Sequence, residues 1–67
     1  MDFAEKLKKL RTDKGLTISE LSKQTDISIS ALYAFEKGKT KKRWIDDFIT
    51  LAEFFGVSTD YLSGFKD

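Results

Sequence analysis

Lys37, Lys39, Lys41, Lys42 and Arg43 place five cations within seven residues, with Thr40 among them and no carboxylate in between. That composition suits anion binding, and beside a helix such a loop fits a row of phosphates on one strand of a nucleic acid. The competing reading is a loop that only aids solubility. The stretch before it, "SISALYAFEK", has the apolar period of a helix. Wound at 3.6 residues per turn, it sets Leu32 and Phe35 on one face and leaves Ile29 and Tyr33 on another, beside Ser30 and Lys37.

Other chemistries lack their residues. The chain has 67 residues with no histidine and no cysteine. That removes the usual general base, the thiolate nucleophile and the usual zinc ligands, so no enzyme activity, metal or cofactor is expected. Asp46-Asp47 is the sole adjacent acidic pair. On a helix such neighbours point ~100° apart, so they favour a helix start through its dipole rather than form a paired-carboxylate site. The four glycines are scattered, so no phosphate-cradling glycine loop exists. No small-molecule ligand is indicated. The longest apolar run is the five residues 31–35, far below the ~20 of a membrane span. The absence of cysteine fits a reducing compartment, and a cytoplasmic location is expected.

A net charge of +1 hides an asymmetry. Residues 1–43 carry eleven Lys/Arg against six Asp/Glu, and residues 44–67 carry one against five. One side of the molecule therefore suits an anionic partner. Lys6, Lys8, Lys9 and Lys14 scatter around the first helix and read as solvated side chains or a diffuse field.

Positioning these residues falls to helices. The chain has no proline, and its strong apolar periods are near 3.6. One small all-α domain of five helices is expected over residues 1–67. Nine aromatics and 40% hydrophobic residues supply one core, needed because a domain this small buries only ~60% of its unfolded surface. Helix 1 spans 2–14, with Asp2 and Glu5 at capping-box spacing, Phe3, Leu7 and Leu10 as its apolar stripe, and Gly15 after it. Helix 2 spans 17–25, with Thr17 and Glu20 as a capping box and Leu16 and Leu21 as a hydrophobic staple. Helix 3 spans 28–37, capped by Ser28 with an Ile27–Leu32 staple, and stops at Gly38. Helix 4 spans 44–55, with Ile45, Phe48, Leu51, Ala52 and Phe55 inward. A short helix 5 starts at Ser58 and ends by Gly64. So few residues separate helices 2 and 3 that they must cross steeply, as a helix-turn-helix.

Three segments in order, "KLRTDKGLTISELSKQTDIS", "YAFEKGKTKK" and "LAEFFGVSTDYLSG", resemble the DNA-binding domains of the phage Cro/CI repressor family. The resemblance covers about residues 3–64. It implies a compact five-helix bundle with helix 3 in the DNA major groove and helix 2 across it near the backbone. It implies binding as a homodimer to a palindromic operator of double-stranded DNA. It pairs Arg11 with Glu36 as a structural ion pair. The bases would be read from Ser28, Ile29, Ser30, Tyr33 and Ala34, and phosphates held by Thr17, Lys37, Lys39, Thr40, Lys41, Lys42 and Arg43. Three departures stand out. Ile18 replaces a frequent glutamine, Asp26 replaces the usual turn glycine, and the base-reading positions are less polar than in relatives. Asp26 is expected in a left-handed conformation.

On that reading Ile29 suits a thymine methyl, Ser30 discriminates little, and Tyr33 reaches a base, a phosphate or a sugar. No Arg, Asn or Gln on this face offers a bidentate contact, so shape readout should matter. Ile29 could instead fold onto helix 2, and Tyr33 could be a bare surface residue. Trp44 could close the core or pack on the backbone. Tyr61, Leu62 and Phe65 offer apolar surface for a two-fold contact. The expected function is a sequence-specific transcriptional regulator, a repressor or related phage or mobile-element switch. The alternative is a protein-interaction module exposing Ile29, Tyr33 and Phe65. The end at Phe65-Lys66-Asp67, directly after the last matched segment, would suit the N-terminal piece of a longer chain.

Overall fold

The caps read from the sequence set the helix boundaries in the computed structural model, which describes residues 2–39 and 45–63. The Asp2 carboxylate accepts the Glu5 N–H at 3.0 Å and opens α1, Phe3–Asp13. Thr17 and Glu20 exchange both bonds of a capping box, 3.1 and 2.9 Å, and open α2, Ile18–Thr25. Ser28 caps α3, Ile29–Glu36, by accepting the Ala31 N–H. Helices α4, Ile45–Phe55, and α5, Thr59–Ser63, follow, and Ser58 caps the latter through the Tyr61 N–H. Among the described residues there is no strand.

Helix α1 stops in the way its glycine predicts. Gly15 takes φ +70°, which bends the chain back so that the Leu16 N–H reaches the Arg11 carbonyl at 3.1 Å. The same six-residue closure ends α3, from Lys39 to Ala34, and α4, from Val57 to Ala52. Helix α2 ends differently. Asp26 takes the left-handed conformation, φ 64° and ψ 20°. Side chains then stitch the turn. The Ser22 hydroxyl donates to the Ile27 carbonyl at 2.6 Å. The Thr25 hydroxyl donates to Leu21 and accepts the Ile27 N–H. Only residues 26–28 separate α2 from α3.

Each helix sends one leucine to full burial: Leu7, Leu21, Leu32, Leu51 and Leu62. Ile18, Ile27, Phe35, Phe48 and Ala52 complete the buried cluster. Phe3 rests between two rings of it, 5.8 Å from Phe35 and 5.1 Å from Phe48, which ties the start of α1 to α3 and α4. Helix α1 packs on α3 and α5, and α2 packs on α3 and α4.

Three expectations need correction. Ile45 is 52% exposed rather than inward. Its angle on the helical wheel suits the core, since it lies seven residues before buried Ala52. Burial also requires a neighbour at that height, and Ile45 is the first residue of α4. Lys6 is buried, with its ammonium 3.9 Å above the Tyr61 ring, rather than solvated. It lies about 40° beyond Leu10 on the wheel, and its aliphatic stem suits that core edge. Leu62 is fully buried, so it is not free to build a two-fold contact as expected, while Tyr61 is half-buried with its ring over Lys6. Trp44, Gly64 and Phe65 lie outside the described residues.

Candidate nucleic-acid interface

Helix α3 is held by its inner face, and its outer face is consequently fixed in direction. Leu32 and Phe35 are buried, while Ile29 is 44% and Tyr33 52% exposed one turn apart. Ile29 does not fold away against α2. Ser28 and Ser30 are exposed beside it, and Ala34 is half-buried. The Ser28 oxygen accepts the capping bond, and its proton remains available to donate. Ser28, Ile29, Ser30 and Tyr33 thus share accessible surface on one rigid element.

A forked ion pair locks the far end of α3 to α1. Arg11 Nε donates to Glu36 Oε2 at 2.7 Å and Nη2 to Oε1 at 3.2 Å. A third donor, Nη1, reaches the Leu16 carbonyl at 2.7 Å. The two side chains are 13% and 9% exposed. The hydrogen bond to Glu36 raises the Arg11 pKa above its ordinary value against the opposing effect of burial, with help from the Glu36 charge. Paired in this way, the two charges cancel and add no net charge to the surface.

Beside this pair lies a cleft of about 530 Å³ between α1, the start of α2 and the end of α3. Lys8, Thr17, Ser19, Tyr33 and Lys37 line it, with the Arg11–Glu36 pair and Ile18 at its floor and walls. Lys37 sits with its ammonium 6.0 Å from the Tyr33 ring centre. Thr17 is exposed at the mouth of α2, where its N–H and hydroxyl hold Glu20 and lower that carboxylate below its usual 4.5. Lys39 is exposed just past α3. Thr40, Lys41, Lys42 and Arg43 lie outside the described residues. The structure thus gathers Thr17, Tyr33 and Lys37 around one cleft, with Ile29 and Ser30 further along α3.

Lys8 belongs to this cleft, and charge counting along the sequence missed it. A signal was present. Lys8 lies three residues before Arg11, so an Arg11 tied to α3 turns Lys8 toward the same place. Among the described residues, no group of His, Cys, Asp and Glu could hold a metal ion. No described helix is long and apolar enough to cross a membrane.

The chain is 37% identical over 62 residues to the HTH-type transcriptional activator BcrR of Enterococcus faecalis, covering 92% of this chain and 30% of that protein. It is 31% identical over 65 residues to the uncharacterized HTH-type transcriptional regulator YobD of Bacillus subtilis, covering 97% of this chain and 57% of that protein. The chain thus spans between about a third and somewhat over half of these curated relatives. No solved structure matches it significantly. The helix-turn-helix domain family matches residues 4–63, nearly the whole length, and the chain belongs to that family.

Proposed function

We propose that the chain binds double-stranded DNA as a transcriptional regulator, with α3 in the major groove. The observation that carries this reading is the outward face of α3, apolar and hydroxylic at Ile29, Ser30 and Tyr33, flanked by lysines. Ile29 meets thymine methyls, while Ser28, Ser30, Tyr33 and Ala34 line the base edges. Thr17, Lys37, Lys39, Thr40, Lys41, Lys42 and Arg43 hold the backbone. The domain acts by binding, without a catalytic step, in the cytoplasm. It binds as a homodimer on a palindrome, with half-sites about one helical turn, ~34 Å, apart. Repression, by covering a promoter, follows from the resemblance to the Cro/CI repressors, although one relative carries the name of an activator. A reporter with the selected site placed within or upstream of the promoter distinguishes the two.

The test is salt titration of binding to a duplex selected from random sequence. Log affinity should fall linearly with log salt, at about 0.9 unit per phosphate neutralised. The exposed apolar pair Ile29 and Tyr33 also suits a protein-docking face. Docking to a protein would release few counterions, so an affinity indifferent to salt would favour it.

A further inference from the structure

We propose that the cleft between α1 and the end of α3 seats one phosphodiester group of the DNA backbone, gripped by Lys8 together with Lys37 and the Tyr33 and Thr17 hydroxyls. This rests on the DNA-binding reading and adds α1 to the interface. The lysines of α1 separate by what they touch. Lys6 is buried over Tyr61, Lys9 pairs with Asp13 at 3.4 Å, and Lys14 lies 5.3 Å from the Phe54 ring. Among the described residues, Lys8 has no such partner and lines the cleft instead. The one carboxylate in the wall, Glu36, is already forked by Arg11. The wall therefore keeps the charge of two lysines, with Ser19 and two further hydroxyls beside them. Two cations and several hydroxyl donors on a concave wall match a phosphodiester, which presents one negative charge on two oxygens. The placement also assigns Tyr33. Its ring stays beside the base edges, while its hydroxyl turns to the backbone.

The experiment compares Lys8→Gln with Lys9→Gln, one residue apart on the same exposed helix, on the selected duplex and on a random one. Lys8→Gln should weaken both duplexes by the same factor, roughly fivefold to tenfold at about 0.1 M salt, and make the salt slope shallower by about 0.9 unit. Lys9→Gln should change neither materially. Tyr33→Phe should also lose affinity on both duplexes alike. A scan replacing single phosphates by neutral methylphosphonates adds a readout that a diffuse positive field would not produce. One position should weaken the wild type and leave Lys8→Gln unaffected. Equal effects of Lys8→Gln and Lys9→Gln, or no such coupled phosphate, overturn the seat while DNA binding stands. Loss on the selected duplex alone in Tyr33→Phe overturns the assignment of its hydroxyl. A wild type with no salt-dependent DNA binding overturns both the seat and the reading it rests on.

Discussion

Removing either member of the Arg11–Glu36 pair leaves its partner charged, largely buried and uncompensated. Arg11→Met or Glu36→Leu alone should therefore cost ~3–5 kcal/mol. The double variant should lose much less, keeping about 1 kcal/mol because the Leu16 carbonyl loses its guanidinium donor. Urea denaturation of the three variants closes this cycle, and additive losses would contradict the pairing. Glu20 supplies the pH dependence at this scale. Its folded-state pKa lies below 4.5, held there first by the Thr17 N–H and then by the hydroxyl. Its stabilising charge is thus fully present above the unfolded value and is lost as pH falls through the folded one. Glu20→Gln should be less stable than the wild type at pH 7, and the gap should close in acid. A gap that stays constant would mean the carboxylate charge is irrelevant to the cap. Single residues are also where the sequence was hardest to read. Arg11 and Glu36 are visible only through a family resemblance, because nothing local links positions 25 apart. Lys6 reads as solvated because its charge is plain in the sequence, whereas its burial depends on Tyr61 arriving from α5.

The turn between α2 and α3 decides how the outer face of α3 is presented. Asp26 holds a positive φ that costs an L-residue more than glycine. Asp26→Gly should leave stability unchanged or raise it by up to about 1 kcal/mol, and Asp26→Val should lower it. A large loss in the glycine variant on thermal unfolding would mean that the Asp26 side chain itself holds the turn. Ser22→Ala tests the stitch from the other side. It removes a 2.6 Å bond to the Ile27 carbonyl and should cost about 1 kcal/mol. Elements were more legible than pairs. Asp2, Thr17, Ser28 and Ser58 each cap a helix from a position the sequence marks, because capping involves groups only three residues apart. Ile45 escaped the same logic. A helical wheel gives direction but not height, and α4 begins where no described neighbour covers it.

Across the whole molecule, five buried leucines and the Arg11–Glu36 pair leave α3 with a fixed outward face. The two-fold contact cannot use Leu62, which is fully buried. Pairing on DNA is still testable, since a single half-site should bind much more weakly than the full palindrome. The two faces of α3 were legible. Leu32 and Phe35 betray the inner face of α3 by their spacing, and hence the outer one. The cleft was not legible, because it needs three helices docked together before Lys8, Thr17 and Tyr33 meet. Ile29→Ala, measured on the selected and random duplexes across a range of salt, decides whether α3 reads bases. Its side chain is exposed, so the fold should survive. Binding to the selected duplex should weaken by ~1–3 kcal/mol, with random binding and the salt slope unchanged. A variant that unfolds, or that binds the selected duplex as tightly as the wild type does, would contradict the claim that α3 reads DNA.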